Sequence, residues 1–109
     1  MNDNNDTRNK NKLIPLCNGR SVYPDIFDYV RSVAQERSSE LSPDTPYTLK
    51  QICGEDLWGT LSKINKIDAG YCMVHLVKKR EVPFKAVEGR HEYPKLYRLT
   101  STQLGTRIP

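Results

Sequence analysis

The fold is decided by residues 65–100, which read NKIDAGYCMVHLVKKREVPFKAVEGRHEYPKLYRLT. Residues 66–80 have helical spacing and end in a basic cluster, and Pro83 prevents the helix from continuing much further. Two segments typical of β-strands follow, residues 84–88 and 95–100. The second alternates with the period of two expected of a half-buried strand. This stretch therefore predicts a helix followed by a β-hairpin.

The positive charge of the chain is concentrated in the same region. Residues 62–100 hold nine Lys and Arg against four Asp and Glu, whereas residues 1–61 hold seven against nine. The formal net charge of +4 therefore belongs almost entirely to the helix and the hairpin. A basic helix followed by a basic hairpin is typical of small proteins that bind duplex DNA.

The rest of the chain divides into tails, a lead-in and one small domain. Residues 1–12 are rich in Asn, Asp and Lys and cannot bury enough apolar surface to offset their ordering entropy, so we expect a disordered tail. Residues 13–24 are expected to be an extended lead-in, residues 25–100 the domain, and residues 101–109 a C-terminal tail. No apolar run is long enough for a membrane span and no signal peptide follows Met1, so we expect a cytoplasmic protein.

Three helices are expected before residue 66. Residues 25–40 carry apolar side chains at helical spacing. Thr48 can cap a short helix over residues 49–53, although residues 47–49 also suit a short strand. Residues 55–63 show a further helical pattern. The expected core combines apolar positions of these segments, the next helix and the last strand: Ile26, Val30, Leu57, Trp58, Leu61, Met73, Leu76, Val77 and Leu99.

The helix of residues 66–80 has two largely apolar faces. The stripe expected to face the core consists of Ala69, Cys72, Met73, Leu76 and Val77. The opposite face carries Ile67, Gly70, Tyr71, Val74, His75 and Lys78. Two interpretations of this second face carry equal weight. Either it is a partner surface, such as one facing the thymine methyls and phosphates of a major groove, or Tyr71 and Val74 pack under the N-terminal segment.

Cysteine usage argues against a disulfide framework, because Cys17, Cys53 and Cys72 are an odd number at irregular spacing. Cys72 and His75 form a C-x-x-H pair, with Cys53 and His91 as conceivable further ligands. No C-x-x-C pair accompanies them, as structural zinc sites usually require. A buried cysteine ordinarily acts as a small apolar side chain, so we expect no metal and no cofactor.

The order helix, short strand, two helices and β-hairpin resembles that of the winged helix-turn-helix superfamily. The ending Lys95-Leu96-Tyr97-Arg98-Leu99 resembles the closing strand of the wing, which often reads Y-x-L. The resemblance implies an α+β fold with three to four helices and a C-terminal β-hairpin wing. One departure is the extra helical segment between residues 54 and 65. Either residues 49–53 are only a lead-in turn to the second helix, or the domain is an unusual variant.

The resemblance implies a small transcriptional regulator that binds duplex DNA, usually as a homodimer, with residues 66–80 as the recognition helix. Arg90 and His91 would lie at the tip of the wing, and the lysines would supply phosphate contacts. The implied DNA-binding residues are Lys66, Tyr71, His75, Lys78, Lys79, Lys85, Arg90, His91 and Lys95. The lead-in offers apolar residues for the dimer, unless they fold back on their own domain: Leu13, Ile14, Leu16, Val22 and Tyr23.

Two other classes of function compete with DNA binding. An enzyme is not expected, because the chain has two histidines, no nucleophile motif and no phosphate-binding glycine loop. A protein-binding winged helix, such as an accessory or inhibitor protein of phage or plasmid type, is the stronger alternative, since a fold does not determine a function. Glu81, Glu88 and Glu92 lie in or beside the wing and would repel phosphates, which keeps this alternative open.

Overall fold

The computed structural model describes residues 12–87 and 94–100. Within these ranges the chain forms a small α+β fold with four α-helices and two antiparallel hairpins, which confirms the expected class. The helices are α1 (Pro24–Arg37), α2 (Leu49–Cys53), α3 (Glu55–Gly59) and α4 (Lys63–Lys78), and a 3-10 turn (Ser38–Glu40) follows α1. The strands are β1 (Ile14–Pro15), β2 (Ser21–Val22), β3 (Phe84–Ala86) and β4 (Tyr97–Leu99).

Some expectations lie outside the described residues. The expected N-terminal tail, residues 1–12, falls there apart from Lys12, and so does the expected C-terminal tail, residues 101–109. The turn between β3 and β4 falls there as well, including Arg90 and His91. None of the helices in the described ranges is long and apolar enough to cross a membrane.

Helix α1 forms because a proline stands at its start and apolar residues recur on one face. Pro24 is the first helical residue, a position where its fixed φ suits the helix and its missing N–H is not needed. The face turned to the core carries Ile26, Phe27, Val30 and Ala34, all buried. At its end, Arg37 Nε donates a hydrogen bond of 3.0 Å to the carbonyl oxygen of Ile52. This bond ties α1 to α2.

Helices α2 and α3 are short, and only α2 belongs to the core. The Thr48 hydroxyl accepts from the Gln51 N–H while the Gln51 side chain accepts from the Thr48 N–H, a reciprocal capping box. Gly54, with φ of 92°, ends α2 as expected. Helix α2 contributes three buried side chains and α3 contributes none. The helix expected over residues 55–63 is present only as the shorter α3, which ends at Gly59. Helix α2 is part of the core and therefore more than a lead-in turn.

Helix α4 begins earlier than the sequence pattern indicated. The Ser62 hydroxyl accepts from the Asn65 N–H at 3.1 Å, so the helix starts at Lys63 and not at Lys66. It ends at Lys78, and Arg80 has a positive φ of 59°, which a right-handed helix does not accommodate. The stripe expected to face the core does so and packs against α1 with four buried residues: Ala69, Cys72, Met73 and Leu76.

The core list was correct in part. Ile26, Val30, Met73 and Leu76 are buried, and Trp58, Leu61, Val77 and Leu99 are partly buried against the core. The prediction for Leu57 is wrong: this side chain is 52% exposed, because α3 lies on the surface. The list also missed core residues supplied by other segments: Leu16, Val22, Ile52, Phe84 and Tyr97.

The segment 13–24 is a hairpin and not an extended lead-in. Strands β1 and β2 pair antiparallel with Ile14 opposite Val22, and Gly19 adopts the positive φ of 91° in the turn. Leu16 and Val22 are buried in the core of their own chain. Of the two outcomes expected for the lead-in, Leu16 and Val22 therefore show the one in which they fold back on their own domain, while Leu13 and Tyr23 remain exposed.

Strand β4 lies between two neighbours. On one side it pairs antiparallel with β3, with Phe84 opposite Leu99. On the other side the Tyr47 N–H donates to the Tyr97 carbonyl oxygen at 2.8 Å, and the Tyr97 N–H donates to the Tyr47 oxygen at 2.7 Å. Of the two alternatives for residues 47–49, the structure has the helix capped by Thr48, and the short strand is reduced to a single bridge at Tyr47.

Candidate functional site

A groove of about 740 Å³ follows the N-terminal half of α4. We call it the α4 groove. Its other walls are the start of α2, the Trp58 side chain of α3, and the residues that lead into and begin β4. The apolar part of its lining consists of Leu49, Trp58, Ile67, Tyr71, Val74 and Tyr97.

The exposed face of α4 beside this groove is apolar. Ile64, Ile67 and Tyr71 are spaced three and four residues apart, so they lie on one side of the helix. Their exposed fractions are 66%, 44% and 41%. Large apolar side chains that form a continuous exposed stripe are typical of surfaces that bind a partner.

The charged residues that line the α4 groove are lysines. Lys50 comes from α2, Lys66 from α4, and Lys95 from the segment before β4. Lys50 and Lys95 are exposed and Lys66 is partly buried. The described part of the lining contains no carboxylate. The groove therefore combines an apolar lining with a positive rim.

Gly70 lies on the lining of the groove, in the interior of α4. A Cβ atom added to it would meet nothing within 4 Å, and its φ is not positive. Neither packing nor backbone conformation requires a glycine there.

Replacing Gly70 by alanine is expected to raise the free energy of unfolding by about 0.5–1 kcal/mol, the difference in helix propensity between the two residues. Urea titration measures it. Gly54→Ala is the matched contrast, because Gly54 has φ of 92° and an alanine there should destabilise. A loss of stability in Gly70→Ala would contradict the open environment described here.

The N-terminal hairpin contacts α4 next to the groove. Arg20 Nε and Nη2 both lie 2.8 Å from Asp68 Oδ1, and Asp68 is only 8% exposed. The guanidinium carbon of Arg20 also lies 4.8 Å from the centre of the Tyr71 ring, a cation–π contact. Arg20 thus holds the hairpin against α4 and restricts Tyr71, which lines the groove.

His75 does not lie on an exposed surface, so its expected role in DNA contact stays a prediction that this geometry does not favour. The ring is 9% exposed, and its Nδ1 accepts a hydrogen bond of 2.9 Å from the Cys17 N–H. It also packs edge-on against Phe27 at 5.9 Å. The N-terminal hairpin covers this part of α4. Of the two residues expected either to face a partner or to pack under the N-terminal segment, Val74 is partly buried and Tyr71 is 41% exposed.

The other expected DNA-binding residues fall into separate groups. Lys66, Tyr71 and Lys95 come together at the α4 groove. Lys78, Lys79 and Lys85 are exposed at the opposite end of α4 and on β3. Arg90 and His91 lie outside the described residues. The sequence pattern missed Lys50, Arg20 and Trp58, because a single sequence does not indicate which distant segments border a helix.

A second cavity, of about 680 Å³, lies at the opposite end of α4. Its lining includes Arg80, Glu81 and Lys85, so both signs of charge meet there. Glu81 also lies 3.9 Å from Arg31 of α1. This end of the helix has a weaker positive surface than its lysines alone suggest.

The cysteines occupy different environments. Cys17 is exposed, whereas Cys53 and Cys72 are buried. In the described ranges, no three His, Cys, Asp or Glu side chains lie close enough to hold a metal ion together. The expectation that the protein binds no structural metal stays a prediction. Burial, and then the negative charge of Asp68, raise the pKa of the Cys72 thiol from 9.0 to about 12.

Stability is expected to fall as the pH rises from about 9 to about 12, because the unfolded chain loses the Cys72 proton at a lower pH than the folded chain. Below the unfolded pKa this contribution is fully present. Burial raises the Tyr29 pKa from 10.0 to about 12, which acts in the same direction. Urea midpoints across this range measure the effect. The Cys72→Ala variant should lose less stability over the same range, and an equal loss would contradict the assignment to Cys72.

Comparisons of the chain with protein-family models, with curated proteins and with solved structures found no match. The α4 groove and its surroundings are therefore the basis for a proposed function.

Proposed function

We propose that the protein is a winged-helix protein that binds duplex DNA and acts as a small transcriptional regulator in the cytoplasm. The order α1, Tyr47, α2, α3, α4, β3 and β4 supports the winged-helix assignment. The pairing of Tyr47 with the side of β4 that faces away from β3 supports it further, because it joins the segment before α2 to the β3–β4 hairpin. In this assignment α4 is the recognition helix and the β3–β4 hairpin is the wing.

The observation that carries the DNA-binding proposal is the lysine rim of the α4 groove. Lys50, Lys66 and Lys95 surround the exposed N-terminal half of α4, and no carboxylate of the described lining opposes them. Lysines that border a helix supply the phosphate contacts that position it against a duplex. Ile67 and Tyr71 would then face base edges and thymine methyl groups.

The lysines at the other end of α4 extend the same surface. Helix α4 has 16 residues, and at 1.5 Å per residue it is about 24 Å long. Lys78 and Lys79 therefore reach different phosphates from Lys66. One domain makes few base contacts, so a homodimer on a two-fold site is the expected way to reach useful affinity.

Phosphate contacts from the three rim lysines alone predict that affinity for a duplex falls at least about 40-fold between about 50 and about 200 mM salt. A mobility-shift series over this range measures it. Lys66→Glu is expected to lower the slope of log affinity against log salt by about one. Lys12→Glu changes the net charge equally at an exposed position outside the proposed surface, and a smaller loss of affinity is expected there.

The two variants separate a specific surface from a diffuse positive charge. Equal losses would mean that the net charge acts and the groove does not. If the wild-type protein shifts no duplex at low salt, the DNA-binding proposal is wrong. The protein-binding alternative then takes its place.

A further inference from the structure

We propose that the α4 groove is a docking site for a segment of a partner protein in which apolar side chains are flanked by carboxylates. This inference goes beyond DNA binding and does not depend on it. It rests on the apolar lining of the groove, its lysine rim and the open position at Gly70.

The lining requires an apolar ligand. Ile67 and Tyr71 are exposed, and Trp58 and Val74 are only partly buried beside them. Duplex DNA offers only thymine methyl groups to such a surface. An amphipathic protein segment offers several apolar side chains at regular spacing, which is the usual occupant of an apolar groove beside a helix.

The lysine rim of the groove favours a negatively charged segment. Lys50, Lys66 and Lys95 come from three different parts of the chain and meet around one groove. Within the described ranges, neither Lys50 nor Lys66 forms an ion pair with a carboxylate, because the carboxylates that pair there do so with Arg20, Arg31 and Arg37. Carboxylates of a bound segment would supply these partners, and a basic segment would be repelled.

Gly70 keeps the groove open. Its missing side chain leaves the backbone of α4 accessible on the groove side, since the space around its Cβ position is empty. A ligand side chain can therefore approach the helix closely at this point. Because the fold does not need glycine here, a larger residue at this position fills the groove without disturbing the core.

The docking site and the proposed DNA surface share Lys66 and Tyr71. An acidic segment and a duplex would therefore exclude each other. The two proposals can nevertheless fail separately, because segment binding is measured without DNA.

The experiment is a selection of random displayed peptides against the full-length protein. The expected peptides combine Asp or Glu with Leu, Ile, Phe or Trp. Synthetic versions of these peptides, in which any Trp is replaced by Phe, should change the fluorescence emission of Trp58 when they bind. Trp58 lines the groove and is the only tryptophan of the chain. In Gly70→Leu their affinity should fall about tenfold or more, the equivalent of one lost apolar anchor.

Two matched controls keep the result interpretable. Gly59→Leu makes the same change at a glycine of α3 that also has open space around it but does not line the groove, and it should bind normally. Ile67→Glu places a carboxylate in the groove at an exposed position and should weaken binding, whereas Leu57→Glu, at an exposed position of α3 outside the lining, should have little effect. Circular dichroism confirms that each variant is folded.

Several results would overturn the proposal. These are the absence of selected peptides, peptides without carboxylates, or equal affinity for the wild type, Gly70→Leu and Ile67→Glu. Concentration-dependent self-association that Gly70→Leu abolishes, with no peptide binding, would identify a second copy of the chain as the occupant instead. If a duplex binds the protein and no peptide does, the groove is a DNA-binding surface only.

Discussion

Replacing Leu76 by alanine is expected to lower the free energy of unfolding by about 2–5 kcal/mol. Leu76 is fully buried on the face of α4 that packs against α1. Its removal deletes apolar contacts and leaves a cavity that a well-packed core fills only partly. Urea unfolding followed by circular dichroism measures the loss.

Leu57→Ala is the matched control for this experiment. The same atoms are removed, but Leu57 is 52% exposed on α3, so a change within about 0.5 kcal/mol is expected. A loss below about 0.5 kcal/mol for Leu76→Ala would mean that α4 is rotated away from the orientation described here. A large loss for Leu57→Ala would mean that α3 is packed into the core.

Replacing Arg20 by alanine is expected to lower the free energy of unfolding by about 1–3 kcal/mol, because it leaves Asp68 without its partner in a buried position. The lower part of this range is expected, since the Arg20 side chain is 41% exposed and solvent screens the pair. The change also removes the contact of Arg20 with Tyr71 and loosens the N-terminal hairpin.

A double-mutant cycle identifies the pair as the cause. Asp68→Asn alone should also destabilise, and the double variant should lose less than the sum of the single losses. Arg20→Lys keeps the charge but not the two-pronged contact of Nε and Nη2, so an intermediate loss is expected. Strictly additive losses would show that Arg20 and Asp68 do not stabilise each other.

Features that depend on neighbouring residues could be predicted from the amino-acid sequence. The helical spacing of Ile26, Val30 and Ala34 predicted α1, and Thr48 with Gly54 predicted the limits of α2. The core stripe of α4 was also predicted, because its period is visible within a few turns. Each of these signals acts over three to seven residues, and the physical forces behind them, capping and amphipathic burial, are local.

The exact start of α4 and the orientation of α3 could not be predicted from the sequence. The sequence pattern placed the start of α4 at Lys66, whereas Ser62 caps the helix and Lys63 begins it. Leu57 and Trp58 are adjacent in a helical pattern, yet Leu57 is the more exposed. Which of two neighbouring residues faces the core depends on where the segment lies against the others, and that is set by the packing of the whole domain.

Which surface of α4 remains accessible depends on contacts between segments that are far apart in the sequence. His75 meets Cys17, which is 58 positions away, and Arg20 meets Asp68 at a separation of 48 positions. These contacts bury one part of the outer face of α4 and leave Ile67, Gly70 and Tyr71 open. The α4 groove likewise needs α2, Trp58 and the segment before β4 to come together. Burial is a property of the assembled fold, since it depends on distant segments that exclude water jointly, and no local pattern in one sequence encodes it.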